Sequence, residues 1–592
     1  MRTDVPTVVP QFLRSRIGKI CVAIIGSTPA EMLEKATAVV KENPFLEFRL
    51  DYLDKPILAM PKLKQFLADN TAVTAIATCR RAANNGKFAG NIAAEVEVLT
   101  KAAEAGFQIA DLELESAEHL KKAELQALRD TGIALIVSYH DFHATKDLEA
   151  IYDRIQPFKP DFIKIVSTAK SLSDNVTMMR FLERMEDHSN IIAICMGDAG
   201  IISRVLGVRA GSAFTFAAAT AGEETGPGQI AARTLIETYR IDQVDAATKV
   251  YGVAGNPIRS SLSPIMMNTA FRRETVNAVY LALQTTKVSD LLKLVHEIPI
   301  QGLSVTMPLK QEIMAHLEHT DPLSAKIGAV NTVLRQEGKL YGFNTDVAGI
   351  VGPIEKRLSL RGAKVLVLGA GGAARAAVFG CRDKGAEVFI LNRTPETAQK
   401  LARQSGAKTI KKDAVAKTAF DVIINATPVG MAGQKGAPIL EAKDLNTKLV
   451  FDLVYNPLET PLLRMARQQN IPIITGIEMF VQQGARQFEI FTGKPAPEEE
   501  MLRVVIHSLR QQAEAAHAEP EHESKPAAAK AESHPAPAKA AAKPAPAKPT
   551  AKVVAKAAVK PPAKPVAKVV KPAAKAPAKT TVKKAAAKTK SR

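Results

Sequence analysis

Cysteine is scarce in this sequence, and the few cysteines lie far apart. They are Cys21, Cys79, Cys195 and Cys381, and no two of them form a CxxC pair. This spacing argues against a disulfide framework and against a zinc site, and it fits a reducing compartment. We therefore expect a protein that binds no metal.

Long hydrophobic runs are also lacking. No apolar stretch approaches the roughly 20 residues that a membrane-spanning helix needs. The N-terminal segment MRTDVPTVVPQ has neither the basic start and long apolar core of a signal peptide nor the Ser- and Arg-rich character of a transit peptide. We expect a cytoplasmic protein that makes no membrane contact.

Acidic and aromatic residues are absent from residues 533–592. Residues 533–592 carry fifteen Lys, one Arg and no acid, so of the net charge of +19 only about +3 belongs to the preceding residues. From residue 513 onward Ala, Lys and Pro dominate, and such a composition predicts disorder because it cannot bury enough apolar surface. The functional interpretation is weak, non-specific binding of nucleic acid or another polyanion. The alternative is a solvated appendage.

The alternation of strands and helices predicts the fold before the tail. With 592 residues the chain is too long for one core. Between Gly18 and Glu237, eight apolar, β-branched segments alternate with stretches of helical period. That count and length are typical of a (β/α)8 barrel. A doubly wound open sheet is the alternative.

Two further α/β units follow a short polar connection at about residues 241–249. The third unit opens with the strand and helix of AKVLVLGAGGAARAAVFG, which favours a Rossmann domain. The predicted organisation is an N-terminal extension (1–17), the barrel (18–240), a second α/β domain (248–352), the Rossmann domain (353–478), helices that pack back on the second domain (479–512) and the tail (513–592).

Charged side chains interrupt the apolar strands of the predicted barrel near their C-terminal ends, where barrels of this kind hold their chemistry. They are Glu47 and Arg49 in EFRLD, Arg80 after the third strand, His140 at the end of the fifth, Lys164 within the sixth and Arg204 after the seventh. Buried charges are costly unless they meet partners or a ligand. A lysine can form a Schiff base with a ketone, a histidine can remove the adjacent proton, and arginines can hold a carboxylate. The set predicts a β-elimination from a keto acid.

The glycine-rich turn of the third unit predicts a dinucleotide. Gly369 and Gly371 follow a strand and open a helix, so a pyrophosphate can approach the helix N-terminus. The next strand ends in Asn392-Arg393-Thr394, which offers a cation and no carboxylate, and this favours NADP over NAD. Arg375 in the helix is either a second cation for the cofactor or an ordinary surface residue.

The barrel segment resembles the type I 3-dehydroquinate dehydratases. The motifs that carry the resemblance are EFRLD, TCR, SYHDF, DFIKIV, MGDAGIISRVLG and TGPGQI. It implies Lys164 as the Schiff-base lysine and His140 as general acid/base. It also implies substrate-binding residues, which are Glu47, Arg49, Arg80, Arg204, Thr225 and Gln229. Two residues depart from the family pattern: Asn84 stands where a Glu is usual, and Thr225 where a Ser is usual.

The following residues, from about 250 to 509, resemble shikimate dehydrogenase. The shared motifs include SVTMPLK, GAVNT, GFNTD, GAGGAAR, NATPVGM and the final MFVQQGARQF. The resemblance implies Lys310 and Asp346 as the catalytic pair. The substrate-binding residues would be Ser261, Ser263, Thr306, Asn331, Thr345, Tyr455 and Gln483. The cofactor-binding residues would be Gly369, Ala370, Gly371, Gly372, Ala373, Asn392, Arg393, Thr394, Asn425, Thr427 and Gly476.

The two resemblances support each other, because the product of the first reaction, 3-dehydroshikimate, is the substrate of the second. The sequence therefore predicts a bifunctional enzyme that acts on 3-dehydroquinate and then reduces the product with NADPH. Two alternatives stay open: a chain in which only the dehydrogenase half is active, and a polyanion-binding protein whose tail carries the function. Quinate also stays open as a substrate.

Overall fold

The computed structural model of the chain describes residues 11–185, 190–258, 261–432 and 437–518. The chain divides into two units, Met1–Pro520 and Glu521–Arg592, and all described residues belong to the first. The predicted basic tail from residue 519 onward, and residues 1–10 of the predicted N-terminal extension, lie outside the described residues.

The first domain is a barrel of parallel strands, each buried because its residues are apolar on both faces. In the 8-stranded sheet each strand pairs with the next along the chain, and β1 pairs with β8, so the sheet curls into a nearly closed barrel. The predicted (β/α)8 barrel is confirmed, and the open-sheet alternative is wrong. The strands are β1 (Ile20–Ile24), β2 (Phe45–Arg49), β3 (Thr74–Thr78), β4 (Ile109–Glu113), β5 (Ala134–His140), β6 (Phe162–Thr168), β7 (Ile191–Met196) and β8 (Thr215–Ala218).

Helices surround this barrel, and one short helix closes its base. Leu13 of the N-terminal helix is buried with Phe45, Phe162 and Phe214 in the barrel interior, so part of the predicted extension belongs to the barrel core. The helices are α1 (Gln11–Arg14), α2 (Pro29–Val39), α3 (Pro56–Asp69), α4 (Ile92–Glu104), α5 (Leu114–His119), α6 (Lys122–Asp130), α7 (Leu148–Ile155), α8 (Leu172–Arg184) and α9 (Ile201–Leu206). A π-helical turn, Thr234–Tyr239, leads out of the barrel.

The second domain is a mixed 6-stranded sheet in the order β10-β9-β11-β13-β14-β12, antiparallel where β13 meets its two neighbours. Its strands are β9 (Lys249–Gly255), β10 (Ala278–Gln284), β11 (Ile300–Val305), β12 (His319–Thr320), β13 (Thr332–Gln336) and β14 (Lys339–Phe343). Its helices are α10 (Ser263–Arg273), α11 (Val288–Glu297) and α12 (Pro322–Ile327).

The third domain is a parallel 6-stranded sheet in the doubly wound order β17-β16-β15-β18-β19-β20, as the sequence predicts for a Rossmann domain. Its strands are β15 (Lys364–Leu368), β16 (Glu387–Leu391), β17 (Lys408–Thr409), β18 (Phe420–Asn425), β19 (Thr447–Asp452) and β20 (Ile473–Ile474). Its helices are α13 (Asp346–Glu355), α14 (Gly372–Asp383), α15 (Pro395–Ser405), α16 (Lys412–Val415) and α17 (Pro461–Gln468).

Two C-terminal helices, α18 (Gly476–Thr492) and α19 (Glu498–Ala518), return to the second domain. Phe488 of α18 and Met501 of α19 share a buried cluster with Tyr251 and Phe271 of that domain. The boundary predicted at residue 513 falls inside α19, because the Ala- and Glu-rich residues 513–518 favour helix. Within the described part of the chain, no helix is long and apolar enough to cross a membrane.

The barrel and the second domain share one apolar core. Val176 and Phe181 of α8 belong to the same buried cluster as Leu291 and Leu294 of α11. At one end of this contact the Asp290 carboxylate of α11 accepts hydrogen bonds from the backbone N–H groups that begin α8. The two domains are therefore packed as well as linked.

Candidate active sites

A single pocket at the C-terminal end of the barrel strands brings together the residues predicted for the first site. Side chains from five strands and the adjoining loops line it, together with the ring of Phe216. The predicted residues among them are Glu47, Arg49, Arg80, His140, Lys164, Arg204, Thr225 and Gln229.

Lys164 points into this pocket from β6 and is almost completely buried. Its Nζ lies 2.7 Å from Oδ2 of Asp111 and 3.9 Å from Oε1 of Glu47, and its side chain is 4% exposed. The ammonium also lies 4.0 Å from the ring centroid of Phe216. A buried lysine with acidic partners is held in one position, where it can attack a carbonyl once it has lost its proton.

His140 is fixed by an arginine on one ring nitrogen and a carboxylate on the other. Arg80 Nη2 lies 2.8 Å from Nε2, and Glu113 Oε2 lies 3.1 Å from Nδ1. Because a guanidinium can only donate, Nε2 is the accepting nitrogen and Nδ1–H donates to Glu113. Burial lowers the pKa of His140 well below its usual range, and the nearby Arg80 and Lys164 lower this pKa further. The ring is therefore neutral, and the lone pair on Nε2 accepts the hydrogen bond from Arg80.

Arg204 has no acidic partner among the described residues. Its guanidinium donates to the carbonyl oxygens of Phe216 at 3.5 Å and Pro227 at 3.2 Å, and burial lowers its pKa to about 10. In contrast, Arg49 donates two hydrogen bonds to Asp51 at 2.9 and 2.8 Å. A buried cation without a counter-charge is expected where an anionic ligand binds.

The remaining two barrel residues form the wall of the pocket near Arg204. Thr225 donates to the side-chain oxygen of Gln229 through its backbone N–H at 2.7 Å and through its hydroxyl at 3.1 Å. These contacts leave the amide NH2 of Gln229 facing the pocket as a donor.

Sequence reasoning missed Asp111 and Glu113, the acidic partners of the lysine and the histidine. Both lie on β4 and are almost fully buried. A signal was present, because acids at alternate positions of an otherwise apolar strand share one face, as in EFRLD. Asn84 stands where the resemblance implies a Glu near the histidine, and it lines the same opening as His140. Its Nδ2 donates to Glu115 at 3.2 Å.

The second site is built around a lysine–aspartate pair between the second and third domains. Lys310 Nζ lies 2.5 Å from Oδ2 of Asp346, and Oδ1 of the same carboxylate accepts from Asn331 Nδ2 at 2.7 Å. Asn331 also donates to Thr345 Oγ1 at 3.0 Å. Four of the predicted residues are thus joined directly.

A further residue supports this pair and was missed by the sequence reasoning. Gln487 of α18 donates to the backbone oxygen of Asn331 at 3.1 Å and to Thr332 Oγ1 at 3.0 Å, and it accepts from Ser304 at 2.7 Å. The ARQF end of the last quoted motif contains this glutamine, but nothing in the sequence shows where α18 returns.

The other predicted substrate residues lie on several elements of the second and third domains and on α18. The Ser261 hydroxyl accepts from the Ser263 backbone N–H at 3.2 Å at the start of α10. Thr306 directly follows β11. Gln483 is buried in α18, and Tyr455 stacks on Phe480 of the same helix with ring centroids 4.6 Å apart.

The glycine turn lies directly against the lysine of this pair. Gly369 has φ +109°, and a Cβ there would come within 3.0 Å of the Thr427 side chain. A Cβ on Gly372 would come within 3.3 Å of Cδ of Lys310. Gly371 caps the N-terminus of α14, with Ala370 before it and Ala373 in the first turn. These residues fit a pyrophosphate at the helix N-terminus.

The arginines considered for binding the 2′-phosphate of NADP occupy different environments. Arg393 is exposed after β16, where Asn392 Nδ2 donates to the Thr394 carbonyl at 3.0 Å. Arg375 instead donates to the Ile327 carbonyl at 2.5 Å and to Gln404, so it bridges α12 and α15.

Two further predicted cofactor residues shape the backbone around the turn. Asn425 at the end of β18 donates to Asp452 and accepts from the hydroxyl of Thr427 at 2.7 Å, which holds the following loop. Gly476 begins α18, and a Cβ there would lie 2.3 Å from the Val454 carbonyl oxygen, so only glycine fits.

One cavity of about 700 Å³ lies between the barrel and the second domain. Gln229 of the barrel pocket and Ser261, a predicted substrate residue, line it together with residues of α19.

Four family descriptions match the chain in order. Type I 3-dehydroquinase matches residues 20–246, and the shikimate dehydrogenase substrate binding domain matches residues 253–333. Shikimate / quinate 5-dehydrogenase matches residues 354–453, and the shikimate 5'-dehydrogenase C-terminal domain matches residues 476–506. The chain is thus a lyase followed by an oxidoreductase.

Relatives cover either the whole enzyme body or its second half. The chain is 33% identical over 509 residues to the chloroplastic bifunctional 3-dehydroquinate dehydratase/shikimate dehydrogenase of Arabidopsis thaliana, covering 81% of this chain and 83% of that protein. It is 39% identical to the shikimate dehydrogenase (NADP(+)) of Pyrococcus furiosus, covering 45% and 99%. A Thermus thermophilus shikimate 5-dehydrogenase solved with NADP(H) and shikimate is 35% identical, covers 44% of this chain and 100% of its own, and has a TM-score of 0.42.

The chain belongs to the family of bifunctional 3-dehydroquinate dehydratase/shikimate dehydrogenases. It is therefore an enzyme of the shikimate pathway, with the two activities that the sequence predicts.

Proposed function

We propose that Lys164 forms an imine with the ketone of 3-dehydroquinate and that His140 moves the protons of the elimination. The Lys164 amine attacks the carbonyl carbon and water leaves. Nε2 of His140 then removes a proton from the carbon next to the imine. The resulting imidazolium returns that proton to the departing hydroxyl, which leaves as water, and hydrolysis of the imine releases 3-dehydroshikimate and the free lysine.

The observation that carries this proposal is the pocket itself, which holds the buried lysine, the neutral histidine and an uncompensated cation together. Arg204 is placed to bind the substrate carboxylate, because its charge has no partner among the described residues. Glu47, Arg49, Arg80, Thr225 and Gln229 then face the ring hydroxyls.

Reduction of the substrate imine with borohydride tests the covalent step. Full-length protein that is mixed with 3-dehydroquinate and reduced should carry one reduced adduct of the substrate or of its dehydrated product on the peptide containing Lys164, with the mass of that compound minus water plus two hydrogens. The Lys164→Met variant should carry none and should still reduce 3-dehydroshikimate. Labelling of another lysine, or unlabelled active protein, would contradict the assignment.

In the second half, Lys310 donates the proton to the alkoxide that forms when the carbonyl of 3-dehydroshikimate is reduced. Asp346 holds the ammonium in place, and Asn331 orients the carboxylate. The cofactor is NADP, and NADPH when bound supplies the hydride. The turn at Gly369, the N-terminus of α14 and the exposed Arg393 fit its pyrophosphate and 2′-phosphate.

Replacement of the catalytic pair separates the two halves. Lys310→Met should abolish NADPH oxidation with 3-dehydroshikimate while 3-dehydroquinate is still dehydrated at the normal rate. A dehydrogenase rate within about threefold of wild type would contradict the role of Lys310, since positioned acid catalysis contributes about 100-fold or more.

Three expectations from the sequence stay predictions: the use of quinate, the cytoplasmic location and the binding of polyanions by the tail.

A further inference from the structure

The loop after β3 lacks the carboxylate that the type I family usually has beside its histidine. Asn84 occupies this position and donates to Glu115 at 3.2 Å. The next residue, Asn85, adopts φ +60°. The loop therefore keeps its turn, but residue 84 supplies no negative charge to the imidazole.

Glu113 lies where that charge is needed. It ends β4, its side chain is 4% exposed, and its Oε2 lies 3.1 Å from His140 Nδ1. The second carboxylate oxygen of Glu113, Oε1, lies 2.6 Å from Nε of Arg80. Nη2 of the same arginine contacts Nε2 of His140. The three side chains thus form a closed ring of contacts that allows only one tautomer.

We propose that Glu113 is the positioning residue of the dehydratase site and takes the place that residue 84 cannot fill. It holds the Nδ1 proton so that Nε2 faces the substrate, and it stabilises the imidazolium that forms when Nε2 accepts a proton. Asp111, on the same strand, is not available for this task because it pairs with Lys164 at 2.7 Å. The inference rests on the proposed role of His140.

The substitution Glu113→Gln removes the negative charge without changing the shape of the side chain. Both oxygens of Glu113 lie within 3.1 Å of Nδ1, so the amide oxygen of Gln can still accept the Nδ1 proton, while Arg80 still donates to Nε2. The neutral amide gives the imidazolium no charge stabilisation, so Nε2 becomes a weaker base. In Glu113→Asp the carboxylate and the tautomer are kept, although the reach is shorter.

Single-turnover and steady-state dehydration of 3-dehydroquinate, followed by the absorbance of the conjugated product, tests the inference in the full chain. We expect kcat of Glu113→Gln to fall about 100-fold or more, with Glu113→Asp falling less. The yield of the borohydride-trapped imine should stay within about twofold of wild type, because Lys164 is unaffected. Glu115→Gln is the matched control and should keep wild-type kcat. The dehydrogenase rate of each variant verifies folding.

A merely structural role predicts the opposite order, since the isosteric Gln fills the site better than the shorter Asp. The inference is overturned if Glu113→Asp is slower than Glu113→Gln, if the imine yield falls in parallel with kcat, or if Glu113→Gln keeps wild-type kcat. Absence of a trapped imine in the wild-type protein would instead contradict the proposed function of Lys164.

Discussion

Buried arginines in the barrel site differ in how their charge is compensated. Arg49 is neutralised by Asp51 and Arg80 by Glu113, whereas Arg204 contacts only carbonyl oxygens among the described residues. The first two are held in place by the protein. The burial of the third costs free energy, and under the proposed function the substrate carboxylate supplies the missing counter-charge.

Arg204→Gln should therefore weaken substrate binding without weakening the fold. We expect kcat/KM for 3-dehydroquinate to fall about 10- to 100-fold, from the loss of a charge-assisted hydrogen bond. The melting temperature should stay equal or rise, because an unpaired buried charge is removed. The control is Arg209→Gln, which replaces a half-buried arginine outside the pocket that donates to the Ala246 carbonyl. A lower melting temperature with unchanged KM would show that Arg204 is structural.

Substitution of a second single residue, Arg393, tests the preference for NADPH over NADH. It is exposed at the end of β16, where a carboxylate would favour NAD. Arg393→Ala should lower kcat/KM for NADPH about 10- to 100-fold and change that for NADH less than about threefold. Arg403→Ala in α15 is the control. Equal losses with both cofactors would mean that Arg393 does not contact the 2′-phosphate.

Secondary-structure elements could be predicted where a single segment contains a local sequence pattern. The strand ends at EFRLD, SYHDF and DFIKIV and the turn at Gly369 could be located from sequence, because side-chain alternation and glycine spacing are local signals. The residues that Asp111 and Gln487 contact could not be predicted. Their roles depend on which strand or helix is the spatial neighbour, and that is set by closure of the barrel and by the return of α18.

Asp290 of the second domain caps the N-terminus of α8, a helix of the barrel. Its carboxylate accepts from the backbone N–H of Leu172 and Ser173 at 3.0 Å, and from the Ser173 hydroxyl at 2.7 Å. Asp290→Ala should cost about 1 kcal/mol of stability and speed hydrogen exchange at the start of α8. Glu297→Ala, which removes the exposed pair with Arg180, should cost less than about 1 kcal/mol. Equal exchange of α8 in both variants would contradict the capping role.

At the scale of the whole molecule, the positive charge is concentrated in the C-terminal tail. The folded body is nearly neutral, whereas the tail is strongly basic. Removal of residues 521–592 should leave both activities within about twofold of wild type. It should also abolish retention on a DNA column, which in the full chain should fall steeply as salt is raised. Salt-sensitive retention of the truncated protein would place the polyanion site in the body.

Two consecutive reactions are joined on one chain whose halves are packed together. The barrel and the second domain share a core, and Gln229 and Ser261 border the same cavity. The order of the domains could be predicted from sequence, since each half has its own motifs. Their packing could not, because Val176, Leu291 and the other interface residues read as ordinary apolar helix positions.

NADPH oxidation by the full-length protein with 3-dehydroquinate as the sole substrate is the most direct test. The wild type should consume NADPH with 3-dehydroquinate and with 3-dehydroshikimate, and Lys164→Met should do so only with 3-dehydroshikimate. If the wild type consumes NADPH only with 3-dehydroshikimate, the barrel site is inactive and the account of Lys164 and His140 is contradicted.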